Sequence, residues 1–171
     1  MLNAIIGESS IDISKHELDK IKVSVIINTY NRYESLLLSI ESVKQQTHKN
    51  IEIIVVNDKS TQKQYSALKH PEGIKWVDLE KSSREVCGFP SLGYTRNAGI
   101  SHATGEYIAV LDDDDVWMPQ KISKQLLSMI ENGVDMSCTE GYIGDSYYNP
   151  QKNYPLYYGS YFKKFCKNFF P

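Results

Sequence analysis

Short apolar runs recur along the first two-thirds of the chain and predict the strands of a sheet. They lie at residues 22–28, 51–56, 74–77 and 106–111 and consist mainly of Val, Ile and Leu. Nearly continuous apolar runs of this length are typical of strands that are covered on both faces in a parallel sheet. A further run at residues 134–143 is interpreted as a fifth strand.

Apolar residues spaced three and four apart predict helices between these strands. One such face follows the first strand and comprises Tyr33, Leu36, Leu37, Ile40 and Val43. Residues 95–103 are predicted to form a helix that Gly105 ends in a left-handed conformation. Pro119 is predicted to open another helix, which Gly133 ends. Strands that alternate with helices predict an α/β fold, a three-layer α/β/α sandwich with a mainly parallel central sheet.

The order of these patterns divides the chain into three parts. Residues 1–21 are weakly patterned and predict a lead-in with at most one short helix, and residues 22–140 carry the alternating pattern. Residues 141–171 differ in composition, because seven of the 12 Tyr and four of the five Phe lie there among lysines. That segment is expected to begin a second, truncated region.

Composition and charge exclude several classes of protein. A chain of 171 residues is long enough to bury a core without disulfides or a structural metal. The net charge of −2 argues against a nucleic-acid-binding protein. No apolar run approaches the ~20 residues of a transmembrane segment, and the polar N-terminus is not a signal peptide. Three scattered cysteines indicate free thiols in a reducing compartment, which predicts a cytoplasmic protein.

Polar residues follow the predicted strands at the point where each strand ends. Ligands of open α/β sheets bind beyond the carboxyl ends of the strands, so these residues are the candidates for a site. They are Thr29, Tyr30, Asn31 and Arg32 after the first strand, Asn57 and Asp58 after the second, and Asp112, Asp113, Asp114 and Asp115 after the fourth. Polar and acidic groups are therefore predicted to gather at one edge of the sheet.

The run of four aspartates is the most specific of these signals. Neighbouring carboxylates ~6 Å apart repel by about 3 kcal/mol a pair at an effective dielectric near 20. Such a cluster needs a cation, protonation or open water, and hard oxygen ligands suit Mg²⁺ or Mn²⁺. The alternative is a solvated acidic turn before a helix. The position of the run, between a buried strand and residues 116–119, favours metal binding.

Each of the other candidate residues, considered alone, has a functional and a structural interpretation. Asp58 either accepts a hydrogen bond from a base or ribose or caps the next helix, and alone the cap is favoured. Arg32 and Arg96 either bind an anionic ligand or lie at the solvated surface, and Tyr30 either stacks on a base or packs in the core. Together they form the surroundings that a nucleoside diphosphate with a divalent ion requires.

Several blocks of the sequence resemble the family 2 glycosyltransferases. The blocks are VSVIINTYNR (23–32), SVKQQT (42–47), EIIVVNDKST (52–61), TRNAG (95–99) and ATGEYIAVLDDDDVWMP (103–119), and the match extends over residues 22–131. The resemblance implies a GT-A fold, a Rossmann-like nucleotide-sugar domain at residues 22–140, and a UDP-sugar donor used with Mn²⁺ or Mg²⁺. It also implies an inverting transfer of the sugar to an acceptor hydroxyl in surface polysaccharide or glycan synthesis.

The resemblance also assigns roles to individual residues. The donor-binding positions are Thr29, Tyr30 and Arg32 along the nucleotide, Asp58 at the uracil, Arg96 near the donor, and Asp112 and Asp113 near the ribose and sugar. Asp114 would hold the metal, with Asp112 or Asp115 as alternatives because the run permits a shift of one residue.

The sequence departs from the family pattern at several positions. Asn28 stands where the family commonly has Pro, Asn57 where it often has Asp, and Lys59 where Gly is frequent. Inverting members use a later carboxylate as general base, and neither Glu140 nor Asp145 can be assigned to that role.

The resemblance and these departures from it leave two candidate functions. The first is a glycosyltransferase with a glycan or lipid-linked acceptor, and the alternative is a nucleotide-sugar-binding domain without turnover. The aromatic residues 141–171 are interpreted as the start of the acceptor side. The other interpretation is a peripheral contact with the inner face of a membrane.

Overall fold

The computed structural model describes residues 15–67, 72–139, 141–144, 149 and 151–156. Its strands are β1 (Val23–Thr29), β2 (Ile51–Asn57), β3 (Ile74–Asp78) and β4 (Tyr107–Asp112). Its helices are α1 (Lys15–Leu18), α2 (Tyr33–Lys44), α3 (Lys63–Ala67), α4 (Ser83–Cys87), α5 (Leu92–Ile100) and α6 (Lys121–Asn132). The four strands predicted from the first apolar runs are confirmed to within one residue at each end.

The strands form one parallel sheet in the order β3-β2-β1-β4. At the carboxyl edge, Thr29 of β1 pairs with Asn57 of β2, and Asn28 pairs with Asp112 of β4. The polar residues that follow the strands therefore start from the same edge, as the sequence predicts.

Both faces of the sheet are covered, because alternate residues of β1 point into two separate clusters. Val25 and Ile27 pack with residues of α2 and α6, whereas Ile26 packs with Val56 and with Ala98 of α5. This arrangement is the expected sandwich, with helices on either side of a sheet whose central strand is wholly buried.

The predicted boundaries of two helices are wrong. The helix predicted at residues 95–103 is α5, which begins three residues earlier because the Ser91 hydroxyl accepts a hydrogen bond from the Tyr94 amide at 3.2 Å. Pro119 does not open α6 either. Its carbonyl accepts a hydrogen bond from the Thr47 amide at 2.7 Å, and the helix starts two residues later.

The role predicted for Gly105 is also wrong, although Gly133 does end α6 with a φ of 60°. Helix α5 ends at Ile100, three residues before the predicted end, and its C-cap residue Ser101 has a right-handed conformation. Gly105 is instead required by close packing, since a Cβ atom there would lie 2.6 Å from the backbone nitrogen of Ser24. Its amide donates to the Ser24 hydroxyl at 2.7 Å.

The predicted fifth strand at residues 134–143 is not observed among the residues of that segment that the structure describes. The segment's apolar side chains, among them Met136 and Tyr142, are exposed, so they do not form the buried face that a strand of this sheet would need. Tyr142 forms only an isolated antiparallel bridge with Leu156.

The chain forms two compact units, residues 1–133 and 134–171. The division of roles between residues 22–140 and 141–171 stays a prediction, and Glu140, Asp145 and the lysine- and aromatic-rich segment 157–171 lie outside the described residues. Among the helices that are described, none is long and apolar enough to cross a bilayer. The cytoplasmic location and the membrane contact stay predictions.

Glu52 connects the amino ends of the strands, at the edge opposite the candidate site. Its carboxylate accepts hydrogen bonds from the Ser24 hydroxyl, from the amides of Thr104 and Gly105, and from the Lys22 ammonium group at 3.3 Å. Burial opposes the ionised form, but these hydrogen bonds outweigh it and lower the pKa of Glu52 to about 2. The sequence analysis did not identify this carboxylate.

We expect Glu52 to contribute to stability in a pH-dependent way. The pKa of Glu52 is about 2 in the folded chain and 4.5 when the group is free, so its carboxylate stabilises the folded state fully above pH 4.5. This contribution is lost as the pH falls towards 2. Replacing Glu52 by Gln should lower the free energy of unfolding by about 2–3 kcal/mol at pH 7 and by less than half of that at pH 3. Urea denaturation at both pH values measures the difference, with Glu131→Gln on the exposed side of α6 as control. A difference that does not change with pH would contradict this assignment.

Candidate donor-binding site

A cavity of about 640 Å³ opens at the carboxyl edge of the sheet, among the residues that the structure describes. Five of the residues predicted to bind a donor line it, namely Thr29, Tyr30, Arg32, Asp58 and Asp113. The opposite wall is formed by the segment from Ser82 to Thr95, which carries α4 and the start of α5. A volume of this size is typical of small-molecule and cofactor sites.

Two tight turns place the residues that follow β1 and β2. Asn31 has a φ of 54° and Lys59 a φ of 59°, so both adopt the left-handed conformation that favours Gly or Asn. The Asn31 side chain accepts hydrogen bonds from the amides of Thr61 at 2.7 Å and Gln62 at 3.1 Å, which ties the two turns together. Lys59 therefore holds a backbone conformation that Gly adopts without strain.

The first three carboxylates of the aspartate run are divided between two arginines. Asp112 turns to Arg96, whose Nη2 atom lies 2.8 Å from its Oδ1 atom. Asp113 and Asp114 share the Nη1 atom of Arg32, at 3.0 Å and 2.7 Å. Each of these neighbouring carboxylates therefore meets a guanidinium group, which relieves the repulsion expected from the sequence.

Asp113 is the buried member of the run, with 5% of its surface exposed. Burial raises its pKa, while hydrogen bonds from the Thr29 hydroxyl, the Arg32 guanidinium and the Tyr30 amide act in the opposite direction. The same ion pair raises the pKa of Arg32. Asp113 thus connects the end of β4 to the turn after β1 and fixes the floor of the cavity.

The exposed members of the run have the chemistry of a site for a divalent cation. Although Asp115 is exposed as a residue, partial desolvation of its carboxyl group and the charges of Asp114 and Asp112 raise its pKa, so an added cation would stabilise its ionised form. No cluster of three or more metal-ligating side chains occurs among the described residues. Mg²⁺ commonly binds one or two carboxylates together with substrate phosphates, so the residues present fit a cation that a diphosphate helps to hold.

Asp58 is held at the cavity wall by α4. Its two carboxylate oxygens accept hydrogen bonds from the Ser83 amide at 2.5 Å and the Ser83 hydroxyl at 2.6 Å, and the same hydroxyl accepts from the Ser91 amide at 3.0 Å. Asp58 therefore binds the first turn of a helix distant in sequence, rather than the next helix along the chain. The sequence analysis missed Ser83, although Ser82 and Glu85 form a capping box, a recognisable signal for the start of α4.

Thr29 and Tyr30 have different surroundings although they are neighbours. Thr29 is buried, and its hydroxyl shares a hydrogen bond with the hydroxyl of Tyr65, a residue that the sequence analysis did not single out. Tyr30 is 55% exposed at the cavity, so its ring is available for stacking. The remaining predicted residues, Arg96, Asp112 and Asp114, do not line the cavity but are joined to each other or to Arg32 by the ion pairs described above.

The sequence was compared with known protein families and with curated proteins. The family model described as Glycosyl transferase family 2 matches residues 24–169. A UDP-Glc:alpha-D-GlcNAc-diphosphoundecaprenol beta-1,3-glucosyltransferase (WfaP) of Escherichia coli is 35% identical over 71% of this chain and 46% of its own length. An uncharacterized glycosyltransferase of Methanocaldococcus jannaschii is 34% identical over 90% of this chain and 53% of its own length.

Solved structures with a similar fold include two proteins in complex with a nucleotide sugar. S. aureus TarS 1-349 in complex with UDP-GlcNAc superimposes with a TM-score of 0.55 and 26% identity, covering 66% of this chain and 32% of that protein. A mannosyltransferase of Pyrobaculum calidifontis in complex with GDP-Man and Mn²⁺ has a TM-score of 0.51 and 23% identity, covering 65% of this chain and 32% of that one. These likenesses confirm the predicted fold class. The chain spans 46% of the length of WfaP and 53% of the length of the M. jannaschii protein.

Proposed function

Because the chain belongs to glycosyl transferase family 2, we propose that its cavity binds a nucleoside diphosphate sugar, preferentially a UDP-sugar, and that the whole protein transfers the sugar to an acceptor hydroxyl. The observation that carries the proposal is the cavity at the carboxyl edge of the sheet, which Tyr30, Asp58, Arg32 and Asp113 line together. The UDP-sugar named for WfaP and the UDP-GlcNAc bound to TarS support this donor class.

The nucleoside is proposed to lie between Tyr30 and Asp58. An exposed aromatic ring offers a stacking face for a base, and a carboxylate accepts a hydrogen bond from the imide N–H of uracil. Each oxygen of the Asp58 carboxylate still has acceptor capacity after its bond to Ser83. Thr29 and Asp113 would complete the wall on the ribose side.

The diphosphate is proposed to lie towards Arg32 and Arg96. Guanidinium groups bind phosphate oxygens in a planar, two-pronged geometry, and positive charge there stabilises the leaving diphosphate as the bond to the anomeric carbon breaks. Asp112 and Asp113 orient the two arginines through the observed ion pairs. Asp114, or Asp112 or Asp115 in its place, would hold Mn²⁺ or Mg²⁺, which supplies further stabilisation of the leaving group.

The acceptor is proposed to be the hydroxyl of a glycan or of a lipid-linked sugar, in surface polysaccharide synthesis. The diphosphoundecaprenol in the name of WfaP and the amylovoran biosynthesis enzyme of Erwinia amylovora support this class. Inverting displacement requires a base that takes the proton of the acceptor hydroxyl. The described carboxylates that follow the aspartate run, Glu131 and Asp135, are exposed and are not among the residues that line the cavity.

A second function applies to this chain by itself, namely binding of the nucleotide sugar without transfer. The lining of the cavity favours it, since that lining includes no described carboxylate from beyond the aspartate run that could act as the base. The two functions are distinguished by incubation with a UDP-sugar and Mn²⁺. Release of UDP indicates turnover, whereas binding without release indicates the second function.

Thermal unfolding with a panel of UDP-, GDP- and dTDP-sugars, with and without Mn²⁺, tests the donor site. A ligand at 100 times its dissociation constant stabilises the folded state by about 2.7 kcal/mol, which for a chain of this size corresponds to a rise in midpoint of about 5–10 °C. We expect that rise with at least one UDP-sugar and a smaller one with the GDP-sugars. No rise with any of them would refute the donor site.

Replacing Asp114 by Ala is expected to remove the part of the midpoint rise that depends on Mn²⁺ and to leave the part that UDP-sugar produces alone. The reason is that Asp114 is half exposed next to Arg32 and is the carboxylate assigned to the metal. Asp135→Ala serves as control, since Asp135 is exposed and lies outside the run. An unchanged effect of Mn²⁺ in Asp114→Ala would show that the metal is held elsewhere.

A further inference from the structure

Asn28 carries an unpartnered polar side chain at the floor of the cavity. It is 6% exposed and lines the cavity, one residue before the carboxyl end of β1. Neither its Nδ2 nor its Oδ1 atom has a hydrogen-bond partner within the part of the chain that the structure describes. More than nine in ten buried polar groups in proteins do have a partner, so this amide is an exception that calls for a physical explanation.

The surroundings of Asn28 favour an apolar side chain. Ile26, on the same face of β1, packs with Val56, which is the residue paired with Asn28 in β2. A buried amide without a partner destabilises the fold, because it has lost its hydrogen bonds to water. Packing does not explain the amide, whereas a ligand that enters the cavity would supply its hydrogen-bond partner.

Asn28 and Asp58 lie at adjacent strand ends on one face of the sheet. Side chains of a strand alternate between faces, so Asp58, two residues after the paired Val56, returns to the face of Asn28. The Asp58 amide also donates to the Thr29 carbonyl at 2.9 Å, which brings the two chain segments together at this point. Asn28, whose amide is buried, and Asp58 thus both belong to the lining of the cavity at adjacent strand ends.

We propose that Asn28 is a specificity-determining residue of the donor site, whose side-chain N–H donates to a carbonyl oxygen of a pyrimidine base next to Asp58. The imide edge of uracil presents a carbonyl, an N–H and a second carbonyl, which match an amide donor beside a carboxylate acceptor. This inference rests on the proposed function.

Replacing Asn28 by Leu, which has a similar shape and no polar atom, tests the inference. We expect the dissociation constant for UDP in the presence of Mn²⁺ to rise at least tenfold in calorimetric titration. Affinity for inorganic pyrophosphate, the probe without a base, should stay within twofold of the native value. The ligand-free midpoint of thermal unfolding should rise by about 2–4 °C, because the unpartnered amide is removed.

Weaker binding of UDP together with a higher unfolding midpoint in Asn28→Leu distinguishes a role in binding from a role in stabilising the fold. A lower midpoint or a failure to fold in Asn28→Leu would show that the amide serves the fold, and either outcome would overturn the inference. Unchanged affinity for UDP would also overturn it.

Two further variants complete the test. Asn28→Asp, which keeps the size but replaces the donor by an acceptor, should lose affinity for UDP as Asn28→Leu does, and native affinity would overturn the inference. Asn132→Leu, an exposed change of the same kind at the end of α6, should bind UDP as the native chain does. Absence of UDP binding by the native chain would overturn the proposed function together with this inference, whereas native binding by Asn28→Leu overturns the inference alone.

Discussion

Replacing Gly105 by Ala is expected to lower the free energy of unfolding by about 3 kcal/mol or more. The added Cβ atom would lie 2.6 Å from the backbone nitrogen of Ser24 and 2.8 Å from the backbone carbonyl oxygen of Lys22. These atoms belong to the start of the buried central strand β1 and the residue before it, so they have little freedom to move away. The Gly105 amide would also be displaced from the Ser24 hydroxyl and the Glu52 carboxylate, to which it donates.

Urea denaturation of the variant and of Gly93→Ala measures this effect against a matched control. A Cβ atom at Gly93 would meet nothing closer than 4.0 Å, and the residue lies within α5. Alanine is favoured over glycine in a helix by up to about 1 kcal/mol, so Gly93→Ala should be neutral or stabilising. A Gly105→Ala variant as stable as the native chain would show that the close approach of these segments is relaxed in solution.

Replacing Asp58 by Ala is expected to weaken UDP binding at least a hundredfold and to lower the free energy of unfolding by about 2–3 kcal/mol. The variant loses the proposed acceptor for the base. It also leaves the amide and the hydroxyl of Ser83 without the carboxylate that pairs with both. Since Ser83 begins α4, the wall of the cavity is expected to lose its position as well. Calorimetric titration with UDP and urea denaturation measure the two effects separately.

Asp78→Ala is the matched control for Asp58. Asp78 ends the neighbouring strand β3 and accepts a hydrogen bond from the Asn57 side chain at 2.8 Å, but it does not line the cavity. We expect this variant to bind UDP within twofold of the native chain. Ser83→Ala then distinguishes direct contact between Asp58 and the base from a role of Asp58 in positioning α4. This variant removes the hydroxyl bond and keeps the amide bond between Ser83 and Asp58. If Ser83→Ala weakens binding as much as Asp58→Ala does, the carboxylate positions α4 and does not contact the base.

The parallel sheet could be predicted from the sequence because its strands are buried on both faces. A buried strand needs a run of apolar residues, and the runs at β1 and β2 are nearly uninterrupted. Helix α2 was recognisable for a similar reason, since one face of it packs on the sheet. Helix α4 was not, because it is a short polar helix that a capping box and the contact with Asp58 hold in place.

The errors in the predicted elements have a common cause. Gly105 and the segment at residues 134–143 carry local patterns that fit a helix stop and a strand, but local patterns contain no information on what lies next to them. Gly105 is explained by the approach of Ser24 from a strand distant in sequence. The apolar residues of the second segment are exposed where they are described, so their pattern does not mark a buried face.

The sequence by itself determined where the candidate site lies and which residue types it contains. Its position follows from the rule that parallel strands end at one edge, and Thr29, Asp58 and the aspartate run each follow a strand that was readily predicted. Only the tertiary structure decided which of these residues are joined. Arg32 meets Asp113 and Asp114, Asp58 meets Ser83, and the Asn28 amide meets no partner in the described part of the chain. The physical reason is that strand formation depends on neighbours in the sequence, whereas ion pairs and hydrogen bonds between strand ends depend on packing across the whole sheet.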